Sequence, residues 1–354
     1  MKRRTALIAF TSTAVLASLT ACMPGTGSGS AAGAPTELVI TTFGGDWQKN
    51  FTDAVVKPFE KANNVTIKQV TLYSADALAQ LQAQKSSPQI DVVFFSGGQE
   101  ATAARDKLIA PISASSLSNG ADLIDSAKSG LEQGEGPVIQ ISPVGLTYRT
   151  DKIDKPTSWN DVFDPKYKKH VAFTDLSNSY GTLGMLSINQ AKGGTADDVT
   201  PGISAMGQAA KAGDAVVIKT SSDLQQAFSS RDIWLAPYAQ DYAETLRKAG
   251  QPVEFVLPAE GSMASFITAN AVAGRANIPL ATKFIDFALS SDVQAKFVSG
   301  MTYSSVNQKT EIPEDLKSKV VWGSSLDKLQ RLSGATFGEK SATWLKQWNE
   351  AIAQ

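Results

Sequence analysis

Short runs of β-branched and aromatic residues alternate with helical patterns along most of the chain. From Glu37 onward "LVITTF" gives way to a helical stretch starting at Trp47, "VTIKQVTLY" to "ADALAQLQAQK", and "IDVVFFS" to "QEATAARDKL". Alternation of this kind predicts an α/β fold, a largely parallel sheet with helices on both faces. In the first helix Trp47, Phe51, Val55 and Phe59 recur every four residues and predict one buried stripe. Asp46 is suited to cap its start, Pro58 strains its last turn, and Asn63 with Asn64 ends it.

A second alternating region runs from "VIQISPVGLTYRT" through "HVAFTD", "AVVIKTS" and "IWLAPY" to "PVEFVLP". After Glu260 and Gly261 a further strand, "SFITANAV", leads to a two-part helix. Pro279 stands near its start, and Phe284, Phe287 and Ala288 supply its apolar face. No internal repeat is visible. A body of this size can bury a large core, and does so more readily as two lobes than as one.

The first residues follow a different pattern. Lys2, Arg3 and Arg4 precede an uncharged run from Thr5 to Leu19, which reads as an export signal over 1–21 and is too short and polar for a membrane span. Leu19-Thr20-Ala21-Cys22 resembles a bacterial lipobox, implying cleavage before Cys22 and a lipid anchor on it; an ordinary cleavage site beside an incidental cysteine is the alternative. Residues 22–36, rich in Gly, Ser, Ala and Pro without charge, read as a flexible tether. Loss of Lys2, Arg3 and Arg4 takes the 33 basic residues to 30 against 34 acidic ones, so no basic surplus exists to hold nucleic acid. Cys22 is the only cysteine, which excludes an intramolecular disulfide.

Two segments carry a family resemblance. "TSWNDVFDPKYKKHVAF", Thr157 to Phe173, is similar to W-x-D-L-[WF]-[DN]-P-K-Y-K-G-K-V, and "KFIDFALSSDVQAKFVSGMTYSSVN", Lys283 to Asn307, to a helical tail ending in G-Y-x-P-V-N. Both resemble the extracellular solute-binding proteins of bacterial ABC importers, in particular the spermidine/putrescine-binding branch. Lys169 stands where that family usually has Gly, so the turn is expected to avoid a strongly positive φ; Ser305 stands where it usually has Pro. The resemblance implies a type II periplasmic-binding-protein-like fold with a ligand cleft between two hinged lobes. The chain is expected to cross near Ser142 to Val144, Glu260 to Ser262 and Val306 to Lys309. One lobe then comprises 37–142 plus 263–307, the other 144–260 plus 309–354. It also implies a monomer that works with ABC permease subunits outside the cytoplasm, facing the periplasm or the cell exterior, without a cofactor.

Ligands of open α/β sheets bind beyond the carboxyl ends of strands, which directs attention to five loops. Gly45, Asp46 and Trp47 follow the first strand, where Trp47 is either an aromatic wall for an alkylammonium group or a core residue, and Asp46 either a contact or only a cap. Ser96, Gly97 and Gln99 offer hydrogen bonds or form a plain turn. Asp175, Ser179 and Tyr180 cluster at a helix start, which suits an anion or only capping serines. By alignment Tyr238 and Asp241 match an aromatic and an acid that clasp an amine in the family. Ser265 and Ile267 replace the expected second aromatic and acid, and an unpaired ammonium is costly to bury. The polyamine is therefore the family default, and a zwitterionic amine (an amino acid derivative, an opine or an aminophosphonate) the alternative.

An enzyme lacks its parts. His170 is the only histidine, and neither G-x-S-x-G nor G-x-x-x-x-G-K-[ST] occurs. With Cys22 given to lipid, a zinc site lacks ligands. Iron binders of related architecture use adjacent tyrosines, whereas Tyr238 and Tyr242 are four apart. A ligand-sensing lipoprotein remains open beside transport.

Overall fold

The structure is a computed structural model that describes residues 36–353. The expected signal, the lipobox with Cys22 and nearly all of the tether lie outside the described residues. Strand β1 (Thr36–Thr42) leads into helix α1 (Gly45–Phe51), a π turn (Thr52–Val56) and α2 (Lys57–Asn63). Pro58 has no N–H to give the preceding turn, and the helix widens just before it. Asn64 then ends it in the left-handed conformation, φ 50°. Trp47, Phe51, Val55 and Phe59 are all buried, as their spacing predicts. β2 (Val65–Thr71), α3 (Ser74–Ala83), β3 (Val92–Phe95), α4 (Gln99–Arg105) and the short α5 (Asp125–Lys128) complete the first half.

The long β4 (Val138–Arg149) carries the chain into the second half. There follow β5 (Val171–Thr174), α6 (Ser179–Ala191), α7 (Thr200–Lys211), β6 (Ala215–Ile218) and α8 (Ser221–Ser229). β7 (Leu235–Ala239), α9 (Gln240–Lys248) and β8 (Val253–Val256) close it. β9 (Ser262–Ala271) returns to α10 (Ile278–Ala288) and α11 (Ser291–Met301), and β10 (Leu329–Arg331) precedes the terminal α12 (Gly334–Ala353).

The protein is a mixed α/β, two-lobed periplasmic-binding-protein-like fold. Its strands run in the order β2-β1-β3-β9-β4-β7-β5-β6. The β2-β1-β3 and β7-β5-β6 groups are parallel, whereas β9 and β4 run antiparallel to each other and to their outer neighbours. The sheet is thus mixed where alternation alone predicted it largely parallel. β4 and β9 are the cause, since strands that pass between lobes are not part of βαβ crossovers.

Along β4 the partner changes: Val138 to Pro143 pair with β9, and Val144 to Arg149 with β7 and β8. Pro143, which has no N–H for a ladder, sits where the partner changes. Two separate cores flank this point. Leu38, Phe51, Phe94, Phe284 and Phe297 anchor the first. Trp159, Phe173, Met185, Leu186 and Trp348 anchor the second.

Two expectations need correction. Residues 309–328, expected in the second lobe, pack on the first: Leu316 and Val320 cluster with Val298, and Val321 and Leu329 join the first core. Only after β10, which extends β9 in parallel, does the chain join the second core, through Leu332, Phe337 and Trp344. At this junction Gly98 and Gly334 touch so closely that a Cβ on either would collide with the other's backbone. Arg331 beside them binds Glu100 and Glu135 at 2.6 and 2.7 Å. Lys169, expected to avoid positive φ, adopts φ 69°, because its N–H donates to the Asp214 carbonyl at 2.8 Å and that bond fixes the turn.

Candidate functional site

A cavity of about 580 Å³ opens between the two lobes. Its walls begin where β1 ends. Gly44 and Gly45 take φ 77° and 54°, and this left-handed pair reverses the chain into α1. The N-cap is therefore Gly44, not Asp46 as expected, and Asp46 stands exposed in the first helical turn, facing the cavity. Trp47 reaches the cavity only by an edge: it is 6% exposed, stacked on Phe51 at 4.7 Å, and its indole N–H donates to Gln140 at 2.8 Å. It serves the core more than the wall.

Ser96 and Ser265 also line the cavity and join the loops behind it. Ser265 donates to the Ser96 carbonyl at 3.1 Å, while the Ser96 N–H donates to Ser74 at 3.0 Å. Across from them Ser179 and Tyr180 open α6, with Asn178 as cap accepting from the Tyr180 N–H at 3.0 Å.

Asp241, in the first turn of α9, also lines the cavity. Its Oδ1 accepts from Ser142, on β4 where the ladder changes partner, at 2.7 Å, and the Tyr180 hydroxyl lies 3.4 Å from the same Ser142 oxygen. No cation pairs with it among the described residues. Desolvation pushes its carboxyl up to about 6, against the hydrogen bonds from Ser142 and from its own backbone. Burial, with the Asp241 charge next in weight, likewise pushes the Tyr180 and Tyr303 phenols well above their usual range and raises Tyr303's neighbour Tyr242 for the same two reasons. All three stay protonated. Tyr180 and Tyr242 meet edge to face at 5.7 Å, and Tyr238 stacks behind Tyr242 at 5.0 Å.

Eight of the residues singled out from sequence thus line one cavity: Gly45, Asp46, Trp47, Ser96, Ser179, Tyr180, Asp241 and Ser265. Four do not. Gly97 lies beneath the folded-back Gln99 side chain. Asp175 is buried and accepts from Trp348 at 2.9 Å and from Ser177; burial pushes its carboxyl up, but these hydrogen bonds prevail and hold it below its ordinary value. Tyr238 is fully buried and donates to the Ser221 carbonyl at 2.8 Å. His170, already doubted as a base, stacks on Trp234 at 3.5 Å.

The cavity also takes Tyr73, Tyr303 and Lys248, which the sequence reading passed over, and Tyr242, which it weighed only against an iron site. Tyr73 follows β2, so the rule of strand carboxyl ends points to it as well. Lys248 stands 3.9 Å from Glu244, which is also bound by Arg247.

Residues 54–320 match the family described as bacterial extracellular solute-binding protein. The chain belongs to that family. This solute-binding protein is similar in fold to an ABC transporter protein of Clostridium perfringens ATCC 13124, at 24% identity and TM-score 0.77, covering 89% of this chain and 99% of that one. It is also similar to a putative extracellular solute-binding protein of Bordetella parapertussis, at 24% identity and TM-score 0.80, covering 89% and 98%. A third structural neighbour is the Atu4243 GABA receptor, at 18% identity and TM-score 0.73, covering 90% and 98%. Comparison with curated proteins finds no matching sequence. The family is one of transport proteins that bind small solutes outside the cytoplasm and work with ABC permeases; it is not a family of enzymes.

Proposed function

We propose that this solute-binding protein captures a small amine-bearing solute in the interlobe cavity, with Asp241 as its counter-charge, and delivers it to an ABC permease. One observation carries the reading: a desolvated carboxylate without a cationic partner, set among tyrosine rings. A cation beside such a group gains both Coulomb and cation–π attraction, and it relieves the cost of keeping the carboxylate charged. Polyamines such as putrescine and spermidine are the class the resemblance implies, with exposed Asp46 on the opposite wall as the second acid.

A zwitterionic amine is the second reading. It is favoured by Lys248 in the cavity and by the α6 start at Ser179, both suited to a carboxylate or phosphonate. That a structural neighbour is a GABA receptor is compatible with this reading, although likeness at 18% identity speaks for the fold alone.

The lobes turn about the β4 partner change, the start of β9, and the passage from β10 to α12. Ligand closes them by contacts available only when both walls meet. Cys22 anchors the protein to the membrane by lipid, and the chain acts as a monomer. Solution scattering tests closure: saturating ligand contracts the radius of gyration, and an unchanged radius refutes the hinge. Uptake of the ligand, restored by this gene in a deletion strain, separates transport from a sensing role.

A further inference from the structure

Resting on the reading that Asp241 is the ligand's counter-charge, we propose that Ser142 is a positioning residue: from the point where β4 changes partners it holds that carboxylate in its charged form and turned toward the cavity. The register of the sheet places the two side by side. Val144 pairs with Ala239 across β4 and β7. The same antiparallel register, continued, sets Ser142 opposite Asp241, where α9 has already drawn the backbone out of the ladder. The side chains take up the pairing there, with the Ser142 hydroxyl donating to Asp241 Oδ1 at 2.7 Å. The backbone of Ser142 meanwhile pairs with Ser265 of β9, in the first lobe. Its hydroxyl thus ties a carboxylate of the second lobe to the strand that joins both.

A carboxylate can only accept, so the Ser142 proton goes to Asp241 as long as Asp241 is charged, and toward Tyr180, 3.4 Å away, the same oxygen can only accept. The bond therefore favours the charged form, against the desolvation that disfavours it. No cation pairs with Asp241 among the described residues to do the same. The titratable groups facing it are phenols: Tyr180 from α6, Tyr238 from β7, Tyr242 from α9 itself and Tyr303 from the segment after α11, each pushed up first of all by burial and so neutral. Asp46 from α1 adds a like charge on the cavity wall, and α9 carries Glu244, which binds Arg247 with Lys248 3.9 Å away. The other elements packed on α9 turn their charges elsewhere: Arg149 of β4 to Asp151, Glu254 of β8 to Tyr148, and Asp223 of α8 to Thr220. The backbone of Asp241 has a separate anchor. Gln240 before it is buried, accepts from the Val321 N–H at 2.8 Å and donates to the Thr302 carbonyl, which fixes the start of α9 to the first lobe. Loss of the Ser142 hydroxyl therefore changes the charge balance and rotamer of the carboxyl while the helix stays where it is.

Carbon-13 NMR of the whole protein labelled at its aspartate carboxyls, with the Asp241 signal assigned by its loss in Asp241→Asn, reads the charge without any ligand. The titration midpoint of Asp241 is expected at about 6 in the wild type. In Ser142→Ala it is expected to rise by about one to two pH units, the scale of a hydrogen bond to a charged group. Ser142→Thr, which keeps the hydroxyl, is expected to restore it. An unchanged midpoint in Ser142→Ala overturns the proposal. So does an equal rise in Ser142→Thr, since packing rather than the hydroxyl would then set it. Calorimetry with putrescine adds the consequence for binding: Ser142→Ala should lose about tenfold at pH 6 and at most about twofold at pH 8.5. A loss equal at both values marks a merely structural role and overturns the proposal. Putrescine that does not bind the wild type, or that binds Asp241→Asn as tightly, overturns the seating of this amine on Asp241 and leaves the proposal to the carboxyl titration, which decides it alone.

Discussion

Asp241→Asn should make the empty protein more stable and the loaded protein less so. Raising a carboxyl from its ordinary 3.8 to about 6 corresponds to about 3 kcal/mol against its charged form. Asparagine is free of that penalty but accepts a weaker bond from Ser142, a loss of about 1 kcal/mol, so the net gain is about 2 kcal/mol at pH 8. For a body of this length that is about 3 °C in melting temperature. The sign follows from the raised folded value: the wild type has its full stability below about pH 4 and loses it as pH rises through about 6. The gain from the substitution should therefore vanish toward pH 4. With an amine bound the order reverses, since removing one member of a desolvated charge pair costs about 2–5 kcal/mol. Scanning calorimetry of both proteins at pH 4 and 8, with and without ligand, reads all four states. A mutant that melts below the wild type when empty at pH 8 refutes the reasoning, as does one that keeps the wild-type affinity.

Affinity for a cation should fall about tenfold per pH unit below about pH 6 as Asp241 is protonated, and equal titrations at pH 5 and 8 would contradict this. Lys169→Gly relieves a left-handed residue and should stabilise the fold by about 0.5–1 kcal/mol in urea titration. Arg331→Ala leaves the buried carboxylates of Glu100 and Glu135 facing each other and should cost about 3–5 kcal/mol. That cost should shrink at acid pH, because burial raises the Glu100 carboxyl despite Arg331 and it protonates readily; a pH-independent cost would argue against the pairing.

Much of the fold was legible because periodicity is local. The stripe from Trp47 to Phe59 and the strand at "IDVVFFS" need no knowledge of distant residues to be read. What sequence did not show depends on partners far along the chain. The left-handed pair at Gly44 and Gly45 displaced Asp46 from its capping role, and Trp47 turned inward because Gln140 accepts its N–H. Asp175 and Tyr238 sit at the right strand ends, yet Trp348 and the Ser221 carbonyl claim them. Alignment pointed to Asp241 and the helix start to Tyr180, and both line the cavity, but no motif pointed to Tyr73 or Tyr303 beside them. Tyr73, Tyr180, Tyr242 and Tyr303 come from four separate places along the chain, two of them first turns of helices, which only the folded chain brings together.

Capture of an amine through Asp241 is tested most directly by titrating the wild type and Asp241→Asn side by side, by calorimetry at pH 7.5, with putrescine, spermidine, GABA, choline and glycine betaine. At least one of these cations should bind the wild type and lose about a hundredfold or more in the mutant. A tight ligand without a positive charge, or a cation that binds both proteins equally, would contradict the assignment.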